Sequence, residues 1–207
     1  ENPAVHGILV QLPLPSSVDT DGVIAAIDPR KDVDSFHPEN RAAVLRGEGT
    51  IFSPVHLAVL HLLAQSPLRI HGAHVLILAK SAVFSEPLAH LLKTAGAHVE
   101  SHATLPASLN MFNAVITALG TLHLLQGPAL HPEAVIIDIS TNPTPNGRAQ
   151  GDFDGDTLLE TQYASPVPGG VGPLTIAFLL QNLVEITEQL GNRSESLGSY
   201  STDSPTA

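Results

Sequence analysis

Short apolar runs alternate with helical patterns through the middle of the chain. They predict strands over 74–79, 97–101, 114–118 and 134–139, with a helix over 87–95 between the first two. This order of elements is typical of an α/β fold with a mostly parallel, doubly wound sheet. The apolar strand residues of such a sheet lie inside, and we expect this for Val75, Ile77, Val115, Ile116, Val135 and Ile137.

The segments on either side of this region carry weaker patterns. Residues 5–12 are predicted as a short buried strand, 20–28 as a helix and 30–49 as a loop-rich stretch. A long helix is expected from 173 to about 190, because its apolar residues fall on one face. Residues 192–207 are rich in serine and poor in apolar residues, so we expect disorder there.

These elements divide the chain into four segments. We expect a small N-terminal lobe over residues 1–54 and a nucleotide-binding-like domain over 55–160. Residues 161–191 are expected to form a loop and a return helix that packs back on the N-terminal lobe. Residues 192–207 form the tail.

Composition and charge argue against several classes of function. Nine Lys and Arg stand against twenty Asp and Glu, a formal net charge of −11, which disfavours nucleic acid or an anionic membrane as a partner. The absence of cysteine excludes thiolate metal sites, and the eleven histidines follow no metal-binding spacing, so no metal is expected. The chain opens on Glu1 without a targeting pattern, which indicates a fragment or a processed product. We expect a cytoplasmic protein, with a mitochondrial form left open.

Three segments contain residues that can do chemistry. In the first, Gln11 stands between Val10 and Leu12 at the end of the predicted first strand. Its amide can both donate and accept hydrogen bonds to a ligand. The alternative is that Gln11 satisfies nearby backbone groups.

The second segment places two carboxylates, Asp32 and Asp34, beside Lys31 and His37 in one polar loop. In an extended segment the two carboxylates would point the same way. Such a pair can bind a metal, act in acid–base chemistry or accept the N–H groups of a ligand. A solvated turn is the other possibility.

The third segment, residues 166–175, holds three prolines and three glycines just before the last helix. Glycines allow a flat ligand to lie against the backbone, and the N–H groups of a first helical turn attract polar or anionic groups. An ordinary tight loop is the alternative.

The junction after the first strand of the predicted sheet is a further candidate. Dinucleotide sites at this position normally use glycine for close approach of a phosphate, and residues 79–87 contain none. Lys80, Ser81 and the N-terminus of the following helix could still hold a phosphate.

Together these segments resemble the methylenetetrahydrofolate dehydrogenase/methenyltetrahydrofolate cyclohydrolase family. Residues 7–15, 31–38 and 166–173 look like three signatures of that family in the right order, and the similarity spans about residues 1 to 190. The resemblance implies a Rossmann-like NAD(P)-binding domain beside a smaller α/β catalytic lobe. It further implies a homodimer that oxidises 5,10-methylenetetrahydrofolate with NADP and hydrolyses 5,10-methenyltetrahydrofolate to 10-formyltetrahydrofolate.

The resemblance also assigns roles to residues. Gln11 looks like the residue that positions the family's catalytic lysine, and Asp34 like the carboxylate that holds the pterin. The residues implied to contact the folate are Val10, Gln11, Leu12, Asp34, Pro168, Gly169, Gly170, Val171, Gly172, Pro173, Leu174, Thr175 and Ile176. The residues implied to contact NADP are Ala79, Lys80, Ser81, Thr104 and Thr141.

The cofactor loop departs from the family pattern. Where the family has Gly-Arg-Ser-x-x-Val-Gly-x-Pro, residues 79–87 have Ala-Lys-Ser-Ala-Val-Phe-Ser-Glu-Pro, so both glycines are replaced and Lys80 stands for arginine. Lysine keeps the charge but loses the planar guanidinium fork, and Glu86 adds a negative charge. We therefore expect a weakened NADP site.

The family's catalytic lysine lies in a Tyr-x-x-x-Lys motif upstream of the segment that Gln11 represents. Lys31, Lys80 and Lys93 do not match it, so we expect little activity from these 207 residues alone. Two alternatives to the bifunctional enzyme remain. One is a divergent paralogue that is cyclohydrolase-only or catalytically silent, and the other is a nucleotide-binding regulatory module that uses only the α/β lobe.

Overall fold

The computed structural model describes residues 2–12, 14–145 and 147–198, with side chains described as far as Gly191. The chain divides into two compact units. The N-terminal unit comprises Glu1–Pro54 and Ala177–Ala207, and the sheet unit comprises Val55–Ile176. The sequence assigned 161–191 to one segment, whereas the structure divides that segment between the two units.

The helices and strands are numbered in chain order. The helices are α1 (Thr20–Ala25), α2 (Pro38–Leu45), α3 (Pro54–Gln65), α4 (Ala82–Thr94) and α5 (Val171–Gly198). The strands are β1 (His74–Ala79), β2 (His98–His102), β3 (Ala114–Ala118), β4 (Leu125–Gln126), β5 (Val135–Asp138), β6 (Asn142–Pro143), β7 (Ala149–Gln150), β8 (Phe153–Asp154) and β9 (Tyr163–Ala164). Within the described ranges, no helix is long and apolar enough to cross a membrane.

The sheet unit is built on five strands in the order β2-β1-β3-β5-β9, and every neighbouring pair is parallel. The bounds of β1 and β3 are those predicted, because both are short segments of mainly apolar residues. All six strand residues expected inside are buried, with exposed fractions of 0% or 1%. The predicted α/β fold with a doubly wound parallel sheet is therefore confirmed.

The N-terminal unit contains less β structure than the sequence indicated. The predicted strand over 5–12 is wrong: its one described pairing is a parallel bridge between Ile8 and Asp32. Val5 and Leu9 are 41% and 48% exposed, so this apolar run is not buried. The return helix does pack on this unit, since Asn182 Nδ2 donates to the carbonyl oxygens of Val33 and Phe52 at 2.9 and 2.8 Å.

Several helix bounds also differ from the prediction. Helix α1 ends at Ala25, short of residue 28, and α2 occupies part of the stretch predicted as loop. The side chain of His37 caps α2 by accepting from Glu39 N. The helix was missed because the polar composition of residues 30–49 favoured a loop.

Helix α4 begins five residues before the predicted start, with Pro87 inside it. Pro87 is the sixth residue of α4, so the helix lacks the bond that an N–H at this position would donate to the carbonyl oxygen of Val83. Helix α5 starts at Val171 and continues through Gly191 to Gly198. The remainder of the predicted disordered tail, 199–207, lies outside the described residues.

Candidate functional site

The residues predicted to contact the cofactor lie at or after the ends of parallel strands in the sheet unit. Lys80 and Ser81 follow β1, Thr104 follows β2 and Thr141 follows β5. All four are exposed, whereas Ala79, the last residue of β1, is 8% exposed. Parallel strands end at the same side of the sheet, here called the carboxyl edge. This edge is where doubly wound sheets bind their ligands.

The loop between β1 and α4 has the chemistry of a phosphate site. Ser81 occupies the N-cap position of α4 and makes no side-chain capping bond within the described residues. Phe84 N and Ser85 N donate to the carbonyl oxygen of Ser81 at 3.2 and 3.0 Å, so the N–H groups of Ala82 and Val83 are the ones that the described residues leave open to an anion. Lys80 Nζ donates to the carbonyl oxygen of Leu119 at 3.1 Å, and its ammonium has further protons for a phosphate. The residues present therefore fit the pyrophosphate of a dinucleotide, although the Cβ atoms of Ala79 and Ser85 narrow the approach.

A buried histidine supports this loop from the α3 side. His56 is 2% exposed, and its ring lies 5.1 Å from that of Phe84 in the first turn of α4. Burial lowers the pKa of His56 to about 4, so the ring is neutral near pH 7. Phe84 and His56 thus act as packing residues behind the loop.

A second group of residues at the carboxyl edge was not anticipated from the sequence. Asp152 is 0% exposed, and its carboxylate accepts five hydrogen bonds from the ends of β3 and β5. The donors are Thr117 Oγ1 (2.6 Å), Leu119 N (2.9 Å), Thr121 N (2.7 Å), Ser140 Oγ (2.8 Å) and Asn142 Nδ2 (3.2 Å). Burial opposes ionisation of Asp152, but these donors outweigh it and lower the pKa of the carboxyl.

Asp138, the last residue of β5, completes this group. Its carboxylate accepts from Ser140 N at 3.0 Å and from Phe153 N at 2.7 Å. Burial raises the pKa of Asp138 to about 6, and the nearby charge of Asp152 adds to the effect. Gly151 makes room for this carboxylate, because a Cβ at Gly151 would lie 2.0 Å from Asp138 Oδ2.

Sequence reasoning could have found one of these two acids. Asp138 ends an apolar run at the carboxyl end of a strand, a position that favours ligand-site chemistry. Asp152 lies in a turn-rich stretch without such a signal, and its donors are 10 to 35 residues away in the chain. Its role follows from the tertiary structure alone.

In the N-terminal unit, the two acids of the predicted loop do different things. Asp32 is 1% exposed, and its Oδ2 accepts from His37 N at 2.8 Å and Asn40 Nδ2 at 3.0 Å. Asp34 is half-buried in a turn, where burial and the charge of Asp32 raise its pKa to about 6. The segment is not extended as the pairing argument required, since Ser35 follows with a φ of 57°. Asp32 Oδ2 is therefore used inside the unit, and the role of Asp34 toward a ligand stays a prediction.

Gln11 lies on the surface of the same unit. Its side chain is exposed, and its Nε2 donates to the carbonyl oxygen of Leu12 at 3.1 Å. Val10 and Leu12 are half-buried. The bridge between Ile8 and Asp32 places this segment beside the one that carries Asp34. The role of Gln11 toward a lysine stays a prediction.

The proline- and glycine-rich segment forms a turn before α5. Gly170 N donates to the carbonyl oxygen of Pro166 at 2.8 Å, and a Cβ at Gly170 would lie 2.7 Å from that oxygen. Gly169 has a φ of 115°, which residues other than glycine rarely adopt. Along the rest of the segment, Pro168, Gly172, Pro173 and Ile176 are exposed, Leu174 and Thr175 are half-buried and Val171 is buried.

Comparison with known proteins gives matches in both parts of the chain. Residues 1–34 match the model of the tetrahydrofolate dehydrogenase/cyclohydrolase catalytic domain, and residues 53–190 match the NAD(P)-binding domain of the same family. The bifunctional protein FolD 2 of Myxococcus xanthus is 36% identical over 194 residues, which are 92% of this chain and 67% of that protein.

Two solved structures have the same fold. The FolD dehydrogenase/cyclohydrolase of Campylobacter jejuni aligns with a TM-score of 0.81 at 34% identity, covering 91% of this chain and 68% of that one. The FolD of Trypanosoma brucei, solved with NADP cofactor and an inhibitor, aligns with a TM-score of 0.82 at 32% identity, covering 89% and 67%.

The chain spans about two thirds of the length of the curated relatives it matches. Both family models occur along it in the order that the folate-side and cofactor-side segments had indicated. Sequence, fold and comparison therefore agree, and the chain belongs to the tetrahydrofolate dehydrogenase/cyclohydrolase family.

Proposed function

We propose that this protein oxidises 5,10-methylenetetrahydrofolate with NADP and hydrolyses 5,10-methenyltetrahydrofolate to 10-formyltetrahydrofolate. The observation that supports this most is the match of both family domains, 1–34 and 53–190, along one chain. A regulatory module that used only the nucleotide-binding domain would not need the folate-side segments. Tetrahydrofolate derivatives are the proposed small-molecule partners.

The folate-side residues have chemistry that suits a pterin. When ionised, Asp34 can accept the N–H groups of the pterin ring, and it is the acid of its pair that is left free for this. Gln11 has an exposed amide that could position a catalytic lysine. The turn of Pro168 to Gly170 and the first residues of α5 offer backbone close to a flat ligand.

The carboxyl edge of the sheet unit suits the dinucleotide. NADP, when bound, accepts the hydride of the oxidation step. Lys80, Ser81 and the N-terminus of α4 hold its phosphates, and Thr104 and Thr141 line its two ends. The loss of both loop glycines and of the arginine fork predicts a weakened site, at a cost of about 1–3 kcal/mol.

The altered loop also favours a second candidate, an enzyme that carries out the hydrolysis alone. Hydrolysis of the methenyl bridge needs no dinucleotide, so the changes at Ala79, Lys80 and Ser85 would spare it. By family resemblance we further propose a homodimer that works in the cytoplasm, in one-carbon metabolism and purine biosynthesis. Light scattering would measure the mass of the assembly.

The experiment is a pair of assays on the intact protein, with methylenetetrahydrofolate plus NADP and with methenyltetrahydrofolate alone. We expect hydrolysis to be the stronger activity. Replacing Gln11→Ala or Asp34→Ala should lower it by about 10²-fold while the fold is kept, because each residue positions a reacting group. Strong turnover that neither change affects would show that these residues do not carry the chemistry.

A further inference from the structure

The buried carboxylate of Asp152 has no role in the function described so far. It is the most densely bonded side chain at the carboxyl edge, with five donors on two separate loops. A carboxylate is costly to bury, and this one is held ionised by its donors. The arrangement therefore fixes both loops to one point.

The tips of these loops face outward. Gly120 and Thr121, after β3, are exposed, and so is Thr141, after β5. Thr121 donates its N–H to Asp152, while Thr141 lies between Ser140 and Asn142, whose side chains both donate to Asp152. Gly120 joins through Ser140, because its N–H donates to Ser140 Oγ at 3.1 Å. The buried carboxylate of Asp152 therefore holds the exposed backbone of both loops in place from the interior of the unit.

Strand order indicates which part of a dinucleotide these loops would meet. The chain moves from β1 to β2 on one side and then to β3 on the other, so the switch point lies between β1 and β3. In such sheets the phosphates sit at the first strand–helix turn and the adenosine ribose near the end of the next strand. The loops after β3 and β5 are left for the nicotinamide half.

We propose that Asp152 is a positioning residue for the nicotinamide half of the dinucleotide, acting through the loops that end β3 and β5. This inference rests on the proposed function, because it requires that the protein bind NADP. Asp152 itself does not touch the ligand. It fixes the positions of Thr121 and Thr141, which contact the nicotinamide half.

The sign of the charge effect makes the inference testable. NADP is an anion, so removing a nearby negative charge should by itself strengthen binding. Loss of loop positioning should weaken it, and small misplacements of positioning groups have large effects. The two explanations therefore predict opposite changes for Asp152→Asn, which keeps the size of the side chain.

The experiment measures calorimetric affinities of the intact protein for NADP⁺ and for 2′,5′-ADP, which lacks the nicotinamide half. For Asp152→Asn we expect the NADP⁺ dissociation constant to rise about tenfold or more and that for 2′,5′-ADP to stay within about twofold. Glu133→Gln, which removes one exposed charge before β5 in the same unit, should alter neither value. Thermal melting without ligand tests whether each variant is folded.

The other possible results would overturn either the inference or the function on which it rests. Unchanged or tighter NADP⁺ binding, or equal weakening of both ligands, would overturn it while the proposed function stands. A parent protein that binds neither ligand would overturn the proposed dehydrogenase function instead. If Asp152→Asn does not fold, Ser140→Ala removes one donor and should show the same selective loss at about threefold. If a folded Ser140→Ala protein shows no selective loss of NADP⁺ affinity, the inference is overturned as well.

Discussion

Two regions at the carboxyl edge of one sheet are held in place by different means. The β1–α4 loop has the open N-terminus of α4 and a single tertiary side-chain bond, from Lys80 Nζ to the carbonyl oxygen of Leu119. The loops after β3 and β5 depend on Asp152, a single buried carboxylate distant in the chain. In the first region, a substitution affects the contacts of one residue only. In the second region, a substitution of Asp152 removes all five of its hydrogen bonds together.

The departures from the family pattern around the first region differ in burial. The replaced arginine is the exposed Lys80, whereas the replaced glycines are the buried Ala79 and Ser85. Substitution at an exposed position has little effect on stability. The change at Lys80 therefore alters ligand chemistry without affecting the sheet beneath, whereas the side chains of Ala79 and Ser85 are accommodated inside the fold.

The strongest test of the comparison removes the central group of each region. Asp152→Ala leaves five donors, four of them on buried residues, without their acceptor, and we expect the free energy of unfolding to fall by about 3 kcal/mol. Lys80→Ala removes an exposed side chain, and we expect a change within about 0.5 kcal/mol. Urea unfolding followed by circular dichroism measures both. Equal losses would mean that the two regions do not differ as described.

A second test restores the family pattern in the first region. Ala79→Gly, Lys80→Arg and Ser85→Gly together should tighten NADP⁺ binding by about 1–3 kcal/mol, roughly 5- to 150-fold, because backbone and a planar guanidinium can then approach phosphate. Glycine at buried position 85, inside α4, should cost about 0.5–1 kcal/mol of stability. Calorimetry measures the affinity.

The control for this test is Lys93→Arg, the same replacement at the other end of α4. It should leave NADP⁺ affinity unchanged. If the triple variant binds no better than the parent, the weakness of the site does not originate in the β1–α4 loop, and the loops held by Asp152 become the place to look.

Sequence alone predicted the parts of the molecule in which local pattern and tertiary environment agree. Strands β1 and β3 were located to the residue because each apolar run is buried on both faces. Residues 5–12 have a similar pattern yet form one bridge, because pairing depends on partners that the pattern does not encode. The Asp152 group was missed for the same reason, since its donors are far away in the chain.

A third test compares Asp152 with Asp34, a half-buried carboxylate whose pKa is shifted in the opposite direction. Burial and the charge of Asp32 raise the pKa of Asp34 to about 6. Above that pH the carboxyl is ionised in the folded protein, and this ionisation lowers the free energy of unfolding. Its contribution to stability is full below about pH 4, where the group is neutral in both folded and unfolded chains, and is lost as the pH rises through 6.

Asp34→Asn removes that cost. We expect the variant to be more stable than the parent by on the order of 1–2 kcal/mol near pH 7.5, with the difference vanishing near pH 4. Urea midpoints at the two pH values measure this, and affinity for a folate analogue should fall in the same variant. A constant difference across the range would mean that ionisation of Asp34 is not its source. Such a gain in stability with a loss of binding is expected of a residue kept for function.

The smallest expected effect concerns Glu86, an exposed acid in the second turn of α4. Glu86→Gln removes a negative charge near the phosphate position, and it should tighten NADP⁺ binding by less than about threefold because solvent screens exposed charges. The gain should shrink further at high salt, since the Debye length falls to about 3 Å at 1 M. A gain much larger than this, or one that resists salt, would place Glu86 against the bound phosphates and make it, rather than the lost glycines, the main cause of a weak site.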